Sequence, residues 1–219
     1  MVFSPRATPR FADRAAAGRR LVPLLQARGF ADPLIYALPR GGVPVALPIA
    51  EALHAPLDLL LVRKLGVPWQ PELGFGAIAE GLEEPLFNQD IIAATGLTED
   101  MIAPVLAAER RELARRSAVY VKGRNRQDPK GRIAILVDDG LATGITARAG
   151  LAALRKQGAG RLVLAVPIAA PESVAEFQGL ADEVITAEAA PIRFGIGAFY
   201  QDFHQISDAE MLEMLAGNP

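Results

Sequence analysis

Several features that would assign a protein to a class at once are missing from this 219-residue chain. It contains no cysteine, which excludes disulfides, thiolate-bound zinc and cysteine nucleophiles. Its two histidines, His54 and His204, lie far apart in the sequence, so a histidine-rich metal centre is not expected. The formal net charge of −2 gives no overall field that attracts nucleic acid or an anionic membrane. Any anion site must therefore depend on a local cluster of basic residues.

Long apolar runs are also missing. No segment reaches the roughly 20 consecutive apolar residues of a membrane span, and the first residues lack the apolar centre of a secretory signal. We therefore expect a cytoplasmic protein with no membrane contact. The apolar fraction of 51% and the charged fraction of 22% are typical of a folded globular protein. Because one core can serve a chain of this length, we expect a single domain over residues 1–219.

The sequence does contain short apolar strands that alternate with helices. Apolar runs predict strands at 34–38, 57–62, 133–137, 162–168 and 184–186. Helical spacing and end signals predict helices at 11–28 and 98–120, the first of them kinked or split at Pro23. They also predict a helix that begins near residue 44, one that ends near residue 157 and one that begins at residue 171. Unbroken apolar strands of this kind indicate a doubly wound α/β fold with a mostly parallel sheet. The Pro- and Gly-rich segment 65–84 predicts a lid or a hairpin.

The most informative segment is ILVDDGLATGIT, at residues 135–146. Asp138 and Asp139 follow a buried strand directly, and a loop of small and hydroxyl residues then leads into a helix. Ligands of open parallel sheets bind beyond the carboxyl ends of the strands, and a loop that enters a helix presents N–H groups suited to phosphate. The carboxylates can accept hydrogen bonds from sugar hydroxyls or magnesium-bound water. The alternative is a plain Asp-Asp-Gly turn in which Thr143 or Thr146 caps the helix.

This segment resembles the binding motif for 5-phosphoribosyl 1-pyrophosphate (PRPP) of the type I phosphoribosyltransferases. It departs from the motif at Gly140, where those enzymes more often carry an aliphatic residue. Ala142 stands where the hypoxanthine-guanine branch has a proton-exchanging aspartate and the adenine branch has alanine. Three further strings resemble a family of bacterial phosphoribosyltransferase-like proteins, namely ALPRGGVPVA (37–46), VRKLGVPWQPELGFGAIAEG (62–81) and GAFYQDFHQISDAEM (197–211).

The resemblance implies a Mg²⁺-dependent enzyme that transfers the phosphoribosyl group from PRPP to a nitrogen nucleophile, a nucleobase, and releases pyrophosphate. It implies that Asp138 and Asp139 are the catalytic residues and bind the ribose, with magnesium held through PRPP and water rather than by direct ligands. It places the phosphoribosyl group on Asp138, Asp139, Gly140, Leu141, Ala142, Thr143, Gly144, Ile145 and Thr146. It also implies a homodimer with a core at about 30–188, a small hood at 1–29 and 189–219, and a long flexible loop.

Pyrophosphate is expected at a second group of residues. The resemblance implies a pyrophosphate loop at Arg40, Gly41 and Gly42, with a cis peptide that we place at Arg40–Gly41. Arg63 and Lys64 are expected at the end of the second strand, on the same edge of the sheet. There they would neutralise the charge that builds on pyrophosphate as its bond to the ribose breaks. The alternative for each group is an ordinary turn or a solvated basic pair.

The acceptor site is the least defined part of the prediction. Glu72 and Glu80 lie in or beside the 65–84 segment, where either can position or deprotonate an acceptor nitrogen, or serve structure alone. Phe199 and Tyr200 can stack on a planar base or merely pack the hood.

Two other functions stay open, and a basic cluster at residues 109–132 bears on the first of them. Its members are Arg110, Arg111, Arg115, Arg116, Lys122, Arg124, Arg126, Lys130 and Arg132. A solvated helix face, a contact with a partner subunit's pyrophosphate, or RNA binding would each account for them. The first alternative function is therefore a regulatory protein that senses PRPP or a nucleotide and binds RNA without turnover. The other is a hydrolase or pyrophosphatase on the same scaffold.

Overall fold

The computed structural model describes residues 9–217. Its helices and strands follow one another in the order α1 (Arg14–Gln26), β1 (Leu34–Ala37), α2 (Gly42–Leu53), β2 (Leu57–Leu59), β3 (Val62–Val67), β4 (Gln70–Ala79), β5 (Leu86–Phe87), α3 (Gln89–Thr95), α4 (Glu99–Tyr120), β6 (Ile133–Val137), α5 (Ile145–Lys156), β7 (Arg161–Ala169), α6 (Pro171–Phe177), β8 (Glu183–Ala189) and α7 (Asp208–Ala216).

The central sheet has five parallel strands in the order β2-β1-β6-β7-β8. Alternate residues of each strand enter two separate apolar clusters, as side chains that point to opposite faces must. One cluster packs the sheet against α5 and α6, and the other packs it against α1, α2 and α7. The predicted doubly wound α/β fold is therefore confirmed. No helix within residues 9–217 has both the length and the apolar character needed to cross a bilayer.

The chain reverses its direction of winding between β1 and β6. These strands are neighbours, but β1 leads through α2 to β2 on one side, whereas β6 leads through α5 to β7 on the other. Such a switch point leaves a crevice between the two loops that follow the strands, and ligands of open α/β sheets bind there. The fold thus brings the segments after residues 37 and 137 together.

The predicted strand at 57–62 is wrong as a single element, because the chain changes partner within it. β2 ends at Leu59 in the central sheet, and β3 begins at Val62 in a separate antiparallel sheet of order β3-β4-β5. Leu60 and Leu61 between them are buried in the two opposite clusters. The apolar run therefore continues through the break, and its hydrophobicity gives no sign of the change.

The 65–84 segment forms most of a hairpin, as predicted, in which β3 pairs with β4. Helix α1 runs through Pro23 as one element, so of the two predicted alternatives, a kink or a division into two pieces, the division is wrong. Two of its side chains, Leu21 and Leu25, are fully buried, and this packing holds the helix together although Pro23 lacks a backbone N–H. The short helix α3 was not predicted, although Asn88 caps its start and Gly96 follows its end. His54 caps the C-terminus of α2 with a φ of 50°.

Segments from both ends of the chain pack together above the switch point. The N–H groups of Arg10 and Phe11 donate to the carbonyl of Phe199, and the rings of Phe11 and Tyr200 lie with centroids 5.3 Å apart. These residues belong to the two segments predicted to form the hood. Residues 1–8 and 218–219 of the predicted hood lie outside the described residues.

Candidate active site

The loops after β1 and β6 touch at the switch point, and two glycines make this approach possible. The Leu38 N–H donates to the Val137 carbonyl at 2.9 Å. A Cβ added at Gly42 would lie 2.5 Å from that same carbonyl oxygen, and one added at Gly41 would lie 2.1 Å from Oδ2 of Asp139. Any larger residue would therefore separate the loops. This close contact is the physical reason for the paired glycines of the Pro-Arg-Gly-Gly motif.

The predicted position of the cis peptide is wrong by one bond. The cis peptide joins Pro39 to Arg40, not Arg40 to Gly41. A backbone feature of this kind leaves no side-chain pattern that fixes which bond adopts it.

Asp138 and Asp139 lie at the floor of the crevice with defined partners. Oδ2 of Asp139 accepts a hydrogen bond from Nε of Arg14 at 2.8 Å, and the Asp139 carbonyl accepts one from the Tyr200 hydroxyl at 2.6 Å. Oδ1 of Asp138 accepts from the Asp139 N–H at 2.8 Å. Both carboxylates therefore keep an oxygen without a protein partner in the described part of the chain.

Burial sets the protonation of this acidic pair. It raises the pKa of Asp138 well above the usual range, and the neighbouring Asp139 charge raises it further, against the effects of the Asp139 N–H and Arg14. Burial also raises the pKa of Asp139, although the hydrogen bond and charge of Arg14 act in the opposite direction. The pKa of Tyr200 is raised mainly by burial. A ligand that donates hydrogen bonds would stabilise the charged form of the carboxylates.

Beside the acids lies a cleft of about 280 Å³ with four arginines in its wall. Its lining residues are Arg14, Arg40, Gly41, Arg63, Arg116, Asp139, Phe203, Gln205 and Ile206. Each guanidinium has a carboxylate partner, and the pairs are Arg14–Asp139 at 2.8 Å, Arg40–Asp208 at 3.6 Å, Arg63–Glu109 at 2.6 Å and Arg116–Glu112 at 2.7 Å. The four guanidinium groups come from α1, the β1–α2 loop, β3 and α4, so the fold brings basic side chains from four separate elements to one cleft.

Arg14 and Arg116 were not among the residues predicted for this site. Arg116 was noted only as a member of the basic cluster. Arg14 was missed, although it follows the same helical stripe as Ala17, Leu21 and Leu25, all fully buried. A charged residue on a buried stripe was the available signal, because it must have a partner inside the protein.

Arg63 and Lys64 do not act together as predicted. They lie within β3, not at the end of a strand of the central sheet, and successive residues of a strand point to opposite faces. Arg63 lines the cleft, whereas Nζ of Lys64 donates to the carbonyl and a carboxylate oxygen of Glu72, at 3.1 and 3.2 Å. The expected location of the pair at the end of the second strand is therefore corrected.

The loop between β6 and α5 has an unusual supply of free N–H groups. The Leu141 N–H bonds the Ile168 carbonyl at 2.8 Å, but the N–H groups of residues 142–147 have no partner in the described part of the chain. Gly144 begins the helix with a φ of 69°, which a residue with a side chain rarely adopts. The first turn of α5 carries no acidic residue. This segment can therefore accept an anion.

Gly140, the departure from the family motif, has a local cause. A Cβ at this position would lie 2.6 Å from the side chain of Ile196 and 3.0 Å from that of Ile168. Ile196 thus fills the space that an aliphatic residue of the motif would occupy.

The four acceptor candidates do not converge in the structure. The Glu72 side chain is 98% exposed on the hairpin, and Glu80 ion-pairs with Arg126 at 2.9 Å. Phe199 and Tyr200 are buried in the hood, with 5% and 4% exposure. This placement supports the packing alternative for the two aromatic residues, and a contact with the acceptor stays a prediction for all four.

Most of the basic cluster is bound within its own chain. Arg115 and Arg116 bond Glu112, Arg124 donates to the Leu57 and Leu215 carbonyls, Arg126 binds Asp58 and Glu80, and Arg132 pairs with Asp32. These internal contacts favour a structural role over RNA binding for the members of the cluster other than Arg116, which lines the cleft.

The described residues offer no ready-made metal centre, since no three histidine, aspartate or glutamate side chains among 9–217 converge on one point. Asp138 and Asp139 each keep a carboxylate oxygen without a partner among these residues, and such oxygens can accept hydrogen bonds from magnesium-bound water.

Comparison with known proteins gives a consistent result. A family model described as the phosphoribosyl transferase domain matches residues 24–201. A Mycobacterium tuberculosis protein, provisionally named a phosphoribosyl transferase, is 45% identical over 205 residues, which cover 94% of this chain and 46% of that protein. The chain thus spans about half the length of this curated relative. The crystal structure of the protein TT1426 from Thermus thermophilus is 36% identical, covers 95% of this chain and 98% of that chain, and superposes with a TM-score of 0.77.

Proposed function

The chain belongs to the phosphoribosyl transferase domain family, and we propose that it transfers the 5-phosphoribosyl group of PRPP to a nucleobase nitrogen and releases pyrophosphate. One observation carries the proposal. A loop with free N–H groups at 142–147 and a cleft lined by Arg40, Arg63 and Arg116 adjoin the two aspartates at the switch point of the sheet. PRPP has the matching sequence of groups, a monophosphate, a pentose and a diphosphate.

The 5′-phosphate would bind the free N–H groups of residues 142–147 and the hydroxyls of Thr143 and Thr146. Both the partial positive charge of the helix start and the absence of acidic residues in its first turn favour an anion there. The ribose hydroxyls would donate to the unpartnered oxygens of Asp138 and Asp139, which stabilises the ionised form of both acids.

The diphosphate would bind the cleft, where Arg40 and the Gly41 backbone lie beside Arg63 and Arg116. Negative charge builds on this group as the C1′–O bond breaks, and preorganised guanidinium groups stabilise that charge. The arginines are held in place beforehand by their carboxylate partners. Lys64 has no part in this proposal because Glu72 binds it outside the cleft.

Magnesium would supply neutralisation of the diphosphate charge when bound with PRPP. Asp138 and Asp139 would orient its water molecules and the ribose, and no protein side chain needs to form a covalent bond to the substrate. The β3–β4 hairpin would exclude water from the reacting carbon, since water is the competing nucleophile. Ala142 offers no acid or base to the acceptor.

The test is pyrophosphate release from magnesium-bound PRPP in the presence of a panel of nucleobases. We expect the Asp138→Asn/Asp139→Asn variant to lose about 10²–10³ in turnover, as for other charge-stabilising groups of active sites. The matched control is Glu99→Gln/Asp100→Asn, which neutralises two adjacent exposed acids at the start of α4. The control should keep full activity.

Three outcomes would contradict the proposal. Full activity in the Asp138/Asp139 double variant would remove those residues from the reaction. Release of pyrophosphate without any acceptor would indicate a hydrolase. Salt-dependent RNA binding without PRPP turnover would indicate the regulatory alternative.

A further inference from the structure

Arg14 is a charged side chain on the buried face of α1. It has 9% exposure and lies at helical spacing from the fully buried Ala17, Leu21 and Leu25. Burial of a guanidinium is unfavourable unless its donors are satisfied. Its contacts therefore explain why the position carries arginine.

These contacts join two parts of the site that come from distant segments of the chain. Nε donates to Oδ2 of Asp139 at 2.8 Å, and Nη1 donates to the His204 carbonyl at 3.0 Å. The guanidinium also lies 3.7 Å from the centre of the Phe203 ring. One side chain thus contacts an acid of the ribose site and two successive residues of the hood segment.

The position of Asp139 depends on this arrangement. Its Oδ2 is in contact with both Arg14 and Gly41, since a Cβ on Gly41 would lie 2.1 Å from Oδ2 and 3.4 Å from Nε of Arg14. Oδ2 is occupied by Arg14, and Oδ1 has no hydrogen-bond partner within residues 9–217. One oxygen of the carboxylate is therefore hydrogen-bonded by the protein, and the other can accept a hydrogen bond from a ligand.

We propose that Arg14 is a positioning residue that couples the hood to the phosphoribosyl site by holding Asp139 so that its second oxygen faces the ribose. This inference rests on the proposed function. Arg14 acts through Asp139 and not by itself, so its contribution to ribose binding disappears when the Asp139 carboxylate is absent. The hood segment at 203–204, which the same guanidinium holds, then becomes part of the structure that orders the sugar site.

The electrostatics of the site agree with this role. The hydrogen bond and charge of Arg14, together with the Asp139 N–H, oppose the effect of burial on the pKa of Asp139, and Asp138 is a second acid beside it. Without Arg14, Asp139 would lose the cation that bonds it. Lysine is a poor substitute because a single ammonium group cannot both bond Asp139 and His204 in one plane and stack on Phe203.

The experiment is a double-mutant cycle with ribose 5-phosphate as the probe, measured by calorimetry. The variants are Arg14→Gln, Asp139→Asn and the combination of both. We expect each single change to weaken ribose 5-phosphate binding about tenfold, and the double variant to bind no more weakly than Asp139→Asn alone, because residues of one network are not additive. Arg14→Lys should recover only part of the loss. Arg20→Gln, an exposed arginine of the same helix, should bind like the wild type.

Additive effects in the cycle would overturn the inference, because Arg14 would then act independently of Asp139. The inference also fails if Arg14→Gln weakens inorganic pyrophosphate binding more than ribose 5-phosphate binding, since Arg14 would then be a ligand of the cleft. If Arg14→Gln does not fold, the cycle is run with Arg14→Lys and the same criterion. If the wild type neither binds ribose 5-phosphate nor releases pyrophosphate from PRPP, the proposed function itself fails. A wild type that does both, with an additive cycle, refutes only the role of Arg14.

Discussion

Substitution of Gly41 by alanine tests the contact between the two loops of the site. Gly41 has helical backbone angles, φ −64° and ψ −34°, so alanine suits its conformation and only the available space opposes the change. The added Cβ would lie 2.1 Å from Oδ2 and 2.7 Å from Cγ of Asp139. Ordinary van der Waals contact begins near 3.4 Å, so the carboxylate oxygen must retreat by about 1.3 Å. Such a shift disturbs its 2.8 Å hydrogen bond from Arg14.

We expect Gly41→Ala to lower the free energy of unfolding by about 1–3 kcal/mol, the usual effect of overpacking. For a domain of this size each kcal/mol corresponds to about 2–4 °C in Tm. Ribose 5-phosphate binding should weaken as well, since Asp139 is displaced. Thermal unfolding and calorimetric titration measure the two effects. The control is Gly179→Ala, because no atom lies within 4 Å of a Cβ at Gly179.

Two results would refute this reasoning. A Gly41→Ala protein with wild-type Tm and wild-type affinity would show that Asp139 does not lie against Gly41. A lower Tm with unchanged ribose 5-phosphate affinity would keep the contact but remove Asp139 from the sugar site.

Two further predictions concern stability. Asp58 is 1% exposed and accepts hydrogen bonds from Arg126 and from two backbone N–H groups. Asp58→Ala leaves these donors unsatisfied, so we expect it to lower the free energy of unfolding, measured in urea, by about 3–5 kcal/mol. A decrease of less than about 1 kcal/mol would contradict the importance of this hydrogen-bond network. Hydrogen bonds from Arg115 and Arg116 lower the pKa of Glu112 to about 2, so Glu112 stabilises the fold above about pH 4.5 and loses this contribution as the pH falls towards 2. Urea unfolding of Glu112→Gln should therefore depend less on pH over this range than that of the wild type, and equal slopes would contradict the assignment.

The features that could be predicted are those with a local signal. The strands at 133–137 and 162–168 form unbroken apolar runs, and a parallel sheet covered on both faces requires such runs. The acids at the end of β6 and the small residues before α5 are neighbours in the sequence, so they lie close together whatever the distant segments of the chain do.

The features that escaped prediction depend on contacts between distant segments. Arg14 and Asp139 are 125 residues apart, and neither local sequence indicates the other. Arg63 and Lys64 were predicted as a pair because the apolar run before them does not show that the chain leaves the sheet at Leu60. Once β3 forms, its alternation sends Lys64 away from the cleft to Glu72.

The central claim is that the peptide after β6 holds a phosphorylated pentose. The most direct test is the crystal structure of the protein soaked with ribose 5-phosphate. The account predicts phosphate oxygens within hydrogen-bond distance of the N–H groups of residues 142–147, and sugar hydroxyls on Asp138 and Asp139. A loop left empty at saturating ligand, or a sugar bound with both carboxylates turned away from it, would contradict the account.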